Sequence, residues 1–207
     1  MHFSTLCVGS PGALGEVLAD RELFVPRPNL DVVIVPTAAA FTGATQCAIE
    51  LSEFFAAFDA RVEVLMVIDR ASGGEAYFAE RIASADVVVL GDGSVLHARI
   101  VWRQSPVGEA IAHATLLISV GAVSSVLGDV MVDPRGGAPT TGLGYRLGAA
   151  ICAPASDEQL RRTRALLSDD VALVVLGASG VLGHDGTRWH VVRGEVCVTR
   201  GQVLADL

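Results

Sequence analysis

A chain of 207 residues is long enough for one domain with a sizeable core, and 51% of it is hydrophobic while aromatics make up only 5%, so the core has to be built from Ala, Val, Leu and Ile. The formal charge is −8 and all fifteen basic residues are arginine; so acidic a chain has little long-range attraction for phosphate backbones, and nucleic acid is not an expected partner. No apolar run reaches the roughly 18 residues that cross a bilayer, and no basic segment precedes the short apolar stretch at the N-terminus, so neither a membrane nor a secretory signal is expected and the location is read as cytoplasmic.

The first thirty residues carry no clear period and are read as an N-terminal arm or hairpin packed on the rest. Residues 31–36 (DVVIVP) are a continuous apolar run ended by proline, the pattern of a strand covered on both faces. Residues 45–58 follow with helical spacing, 61–68 as a strand, 74–84 as a short helix, and 86–90 (DVVVL) as another strand ending in Gly91-Asp92-Gly93. A helix starts near Ser94, and residues 107–113 form another. A strand over 115–120 then meets Gly121, with a helix expected from about Ser124. Beyond Asp133, residues 134–144 read as a long loop, and 156–168 as a helix capped by Ser156 or Asp157. From Val171 the chain alternates short β runs with glycines, at 172–176, 188–192 and 195–199.

Strands alternating with helices predict a single α/β domain over 1–207. Its parallel-rich sheet is flanked by helices on both faces, in a three-layer α/β/α arrangement, with a small β-rich C-terminal extension over 171–207. Ligands bind such sheets at the carboxyl ends of the strands, here the loops 37–42, 91–94 and 121–124.

Gly177, Gly180 and Gly183 form a GxxGxxG directly after a strand, like a dinucleotide loop. Another turn and strand follow instead of a helix, and only 24 residues remain after Gly183, so these are read as turn glycines and no cofactor is expected. Cys7, Cys47, Cys152 and Cys197 show no CxxC spacing, which predicts neither a metal site nor a redox pair. Arg161, Arg162 and Arg164 are read as a solvated helix face.

The strand LLISV followed by Gly121 and a helix has the shape of a nucleophile elbow, where a sharp turn lifts a catalytic side chain into a cleft and the next backbone N–H groups bind an oxyanion. Other landmarks stand in order around it: VIVPTA (33–38), VLGDGS (89–94), TGLG (141–144) leading to Gly148, and ALVV (172–175). In this order the segments resemble the peptidase E and cyanophycinase family of serine hydrolases, on a flavodoxin-like or class I glutamine amidotransferase-like fold. The resemblance spans roughly residues 31–201. It implies a serine nucleophile at the elbow, a histidine after the Gly-Leu-Gly run and an acidic third member, for which Asp133 is placed.

The departures fall on those positions. The elbow residue is Gly121, which can form no acyl-enzyme. The histidine position falls at Pro154, and no histidine lies between His113 and His184. The second glycine of the oxyanion loop is Asp92, whose charge opposes a developing oxyanion. Three readings stay open. The first is a non-catalytic relative that keeps the cleft as a binding or interaction site, with pocket residues Thr37, Gly91, Asp92, Ser94, Gly121, Ala122 and Ser124. The second is an active hydrolase rebuilt around Ser124 with His97 as base and Asp92 as orienter. If active, the resemblance implies a peptide or isopeptide bond beside an acidic residue. The third is a cysteine-dependent, amidotransferase-like enzyme using Cys152 near Arg146, Cys47 being inside a helix. A small peptide or an acidic small molecule is the expected ligand, and the chain is expected to be a monomer or a homodimer.

Overall fold

The computed structural model describes residues 3–133, 137–200 and 204–205. Among these, eight strands form the main sheet. Five are parallel: β1 (Thr5–Val8), β2 (Leu30–Val35), β3 (Ala60–Val64), β4 (Val87–Leu90) and β5 (Leu116–Val120). They stand in the order β3-β2-β4-β5-β1. Beyond β1 the sheet continues through the antiparallel hairpin β10 (Val181–His184) and β11 (Trp189–Arg193), then β13 (Leu204–Ala205). A second sheet holds β8 (Ala149–Cys152), β9 (Ala172–Leu176) and β12 (Val196–Arg200), and β6 (Val130–Val132) pairs with β7 (Pro139–Thr141).

The undiluted Val and Ile runs follow from burial on both faces. Val33, Val35, Val88, Leu90 and Leu117 point to one side. There they pack with Ile82 of α4 (Ala76–Ala83), Trp102 of α5 (Val95–Trp102) and Ile111 of α6 (Pro106–Ala112). Their sequence neighbours Val32, Ile34, Val87, Val89 and Ile118 point to the other. They meet Leu14 and Val17 of α1 (Pro11–Ala19) and Leu51 and Phe55 of α2 (Ala44–Phe55). The period-two alternation of strands thus serves two apolar cores instead of one core and solvent. Each fully buried aliphatic side chain contributes about 1.5–3 kcal/mol relative to exposure. The second sheet joins the first core through Ala149, Ile151, Val174 and Leu176. On its far side it is covered by α7 (Asp157–Leu166), through Leu160 and Leu167 beside it.

The expected three-layer α/β/α architecture is therefore present. Ser156 is the cap of α7, in a capping box with Gln159. Three local expectations are corrected. The N-terminal segment is no arm or hairpin: β1 is fully buried inside the sheet, paired with β5 and β10, and α1 follows it. TLCV is short and, unlike the VVVL of β4, is not an unbroken run of Val and Leu, so only the tertiary pairing reveals β1. Residues 139–141 of the expected loop form β7, while residues 134–136 lie outside the described chain. The turn after β5 is a short 3-10 segment, Gly121–Val126, and not the start of an α-helix. The glycines of GxxGxxG make a tight crossing: a Cβ on Gly9 would sit 1.7 Å from the Gly177 carbonyl oxygen. Gly183 lies in β10, a strand where a nucleotide loop needs a helix.

Candidate functional site

The loops after β2, β4 and β5 meet at the carboxyl edge of the sheet. β5 hands the chain to Gly121 at φ +70°, the left-handed conformation that costs a side-chain-bearing residue about 1–2 kcal/mol and glycine little. The backbone thus keeps the shape of an elbow without a side chain at its apex. The vacant volume is filled from the neighbouring loop. A Cβ built on Gly121 would lie 2.3 Å from Asp92 Cγ and 2.4 and 2.6 Å from its two carboxylate oxygens. Asp92 Oδ1 accepts the Ala122 N–H at 2.9 Å and the Gly93 N–H at 2.7 Å. The N–H after the elbow residue, the donor that a serine hydrolase turns on its oxyanion, is engaged here by an internal carboxylate.

Beside it lies an apolar cavity of about 100 Å³ lined by Val95, Ala122, Ser125, Cys152, Pro154 and Thr163, with Asp133 at its wall. The elbow neighbour Ala122, the Pro154 position and Asp133 thus converge on one cleft, although they are distant in sequence. On the other flank of Asp92, a cavity of about 290 Å³ is lined by Thr42, Gln46, Cys47, Glu50 and Val120. The sequence does not single out Gln46 and Glu50; its one signal is their i,i+4 spacing on α2, and the structure adds a 3.0 Å hydrogen bond from Gln46 Nε2 to Glu50 Oε1.

The remaining predicted residues have other work. Thr37 is fully buried: its hydroxyl donates to the Val67 carbonyl at 2.5 Å and accepts the Trp102 indole N–H at 3.1 Å. Ser94 caps α5 by accepting the His97 N–H. Gly91 packs where a Cβ would come within 2.5 Å of Cys47 Sγ.

The rebuilt Ser124–His97–Asp92 constellation is not assembled. Ser124 is buried, and its Oγ is 2.8 Å from Ser119 Oγ. His97 Nε2 donates to the Ile68 carbonyl at 2.7 Å, and its ring packs edge-on against Phe41. The carboxylate of Asp92 is spent on backbone. The cysteine reading loses its activated thiol. Cys152 is buried in β8 with its Sγ facing the Val174 carbonyl, and burial pushes it up to about 11. Burial also raises Cys47, and the carboxylates of Glu50 and Asp92 add to the shift. Arg146 stands against Thr5 and Ala112.

A parallel sheet with helices on both faces, a glycine elbow at the end of β5 and a cleft beside it define a three-layer α/β/α protein with its candidate site at the carboxyl edge of the sheet. Solved structures share it over nearly the whole chain. A peptidase from an acI-B1 Actinobacterium is 17% identical, with a TM-score of 0.75, covering 98% of this chain and 92% of that one. A putative peptidase E protein from Listeria monocytogenes EGD-e is 11% identical, with a TM-score of 0.65, covering 98% of this chain and 100% of that one. No protein-family model and no curated protein matches the sequence. The fold is peptidase E-like.

Proposed function

We propose that this chain is a non-catalytic relative of peptidase E whose cleft binds a short peptide without cutting it. The observation that carries this reading is Asp92, which fills the place of the elbow side chain and takes the Ala122 N–H. A nucleophile, its base and a free oxyanion donor are all needed for acyl transfer, and the resemblance assigns those three positions to Gly121, Pro154 and Asp92, none of which can fill its role. Of the two ligand chemistries expected from sequence, the peptide is favoured. The cavity beside Ala122 and Pro154 is mainly apolar and has room for one aliphatic side chain, while the Asp92 and Asp133 carboxylates oppose an anion.

The test is fluorophosphonate labelling read by intact mass, on the wild type and on Ser124→Ala, alongside turnover of a library of short peptides and acidic isopeptides. No adduct and no turnover are expected, with saturable binding of peptides that carry a small aliphatic residue. A wild-type adduct that disappears in Ser124→Ala would overturn the proposal in favour of a rebuilt serine site. Absence of any peptide binding would remove the binding role and leave only the loss of catalysis.

A further inference from the structure

At the opposite edge of the sheet, by the amino ends of β1 and β5, is a second pocket of about 440 Å³. It is lined by Ser4, Tyr145, Arg146, His184, Gly186 and Thr187, together with Gly144 and Leu147. In a protein of charge −8, no Asp or Glu is found among the described lining residues.

Arg146 is half-buried and is fixed on one side of its guanidinium only. Nε donates to Thr5 Oγ1 at 2.7 Å, and Nη1 donates to the carbonyls of Ala112 at 3.0 Å and Tyr145 at 2.7 Å. These acceptors are neutral. Burial lowers its proton affinity, and the opposing influence comes from the Cys7 thiol and not from a carboxylate. Nη2 makes no hydrogen bond with the described residues, so two N–H donors of a positioned guanidinium are unspent.

His184 supplies the second donor. It is 95% buried (5% exposed), held edge-on against Trp189. Its Nδ1 accepts the Gly186 N–H at 3.1 Å, which leaves the proton of the neutral ring on Nε2. Nε2 has no partner among the described residues. Burial, then the nearby Arg146 charge, lower the His184 pKa; the Asp185 carboxylate opposes them without prevailing, and His190 adds to the lowering, as expected of a cationic corner whose counter-charge is incomplete. The Asp185 carboxylate does not fill that part. It is turned into the β10–β11 hairpin by the Thr187 N–H and hydroxyl, the Arg188 N–H and His190 Nε2.

A half-buried arginine held in place by neutral acceptors, with the unspent N–H of a buried histidine ring beside it, is a donor pair that recognises an oxyanion; the rim hydroxyls of Ser4 and Thr187 already donate to the His184 carbonyl and to Asp185 and add only acceptor oxygens. We propose that this pocket binds the carboxylate or phosphate group of a small molecule, taken by Arg146 Nη2 and His184 Nε2, with Ser4 and Thr187 at the rim. The site is separate from the elbow cleft, and the proposal stands or falls apart from the peptide-binding reading.

The experiment titrates the full chain with inorganic phosphate and, separately, with acetate, at constant ionic strength held by chloride. The imidazole resonances of selectively labelled histidine are followed by NMR. Saturable shifts confined to His184 are expected for at least one anion, with a Kd of about 1 mM or tighter. The His184 pKa should rise on binding, because the anion favours the charged ring. Which anion saturates decides between a phosphate and a carboxylate ligand. Arg146→Lys should weaken binding at least tenfold, since a point charge replaces the guanidinium fork. His184→Gln leaves the arginine and its packing in place and should weaken binding as well; because it removes the reporting ring, its affinity is read, beside the wild type's, from the backbone amide resonance of Gly186. Shifts that never saturate, or that chloride reproduces, would overturn the proposal on the wild type alone. Unchanged affinity in both folded variants would also overturn it.

Discussion

At the carboxyl end of β5, Asp92 closes on the backbone donors of the elbow. At the amino end of β5 and its neighbour β1, Arg146 holds donors that no carboxylate among the described residues takes. The same sheet positions both places. At the first, an internal side chain has replaced whatever an open oxyanion donor would bind. At the second, the charge is positioned by neutral acceptors and the remaining donors face a cavity. Likeness of fold preserves places where chemistry can happen, but the side chains that fill those places decide whether it does.

The largest effect that would break this contrast is expected from Gly121→Ser. The left-handed backbone costs about 1–2 kcal/mol for a side-chain-bearing residue, and overpacking against Asp92 adds about 1–3 kcal/mol. Urea unfolding should therefore show a loss of several kcal/mol. Adding Asp92→Ala should return the packing share and leave the backbone share. If the second substitution returned nothing, Asp92 would not be the group occupying the elbow, and the account of the blocked site would fail. Neither variant is expected to hydrolyse peptides, because Pro154 offers no base.

A smaller effect sharpens the distinction between site and scaffold. Thr37→Val keeps the shape but removes the acceptor of the buried Trp102 N–H, a cost of about 1–3 kcal/mol. Peptide binding should persist in the folded fraction. Wild-type stability combined with lost binding would instead return Thr37 to the ligand site.

The smallest effect is a pH dependence that belongs to the cationic end. His184 has its pKa lowered, by burial first and then by Arg146. The unfolded chain therefore takes up a proton before the folded one does. The stability from this group is fully present above the ordinary histidine value of about 6.5 and is lost as pH falls through the lowered folded value. Asp185 acts further down. The Thr187 hydroxyl, the Arg188 and Thr187 N–H groups and His190 hold its carboxyl well below the usual range. Its contribution is present above about pH 4 and is lost below that. Urea midpoints measured against pH should show two declines, and His184→Gln should remove only the upper one. An upper decline that survives that substitution would mean that another group titrates there.

Much of the fold was legible because burial on both faces writes itself into sequence as unbroken apolar runs. DVVIV, DVVVL and LLISV announced β2, β4 and β5. Ser156, offered together with Asp157 as the cap, announced the start of α7, because a cap needs a side-chain oxygen there; the Gln159 half of the capping box came from the structure. β1 and β10 were hidden, the one as a short TLCV that begins on a polar residue and the other inside a glycine run that also fits a nucleotide loop.

At the candidate site, residue type alone established that Gly121 cannot be a nucleophile and Pro154 cannot be a base. Where the Asp92 carboxylate turns, that His97 faces Ile68 while Ser124 faces Ser119, and that Arg146 and His184 meet across one pocket were decided by tertiary structure. The reason is physical: chemical capacity resides in a single residue, whereas a contact such as the Asp92–Ala122 hydrogen bond, between residues 30 positions apart, exists only once packing has brought the two together.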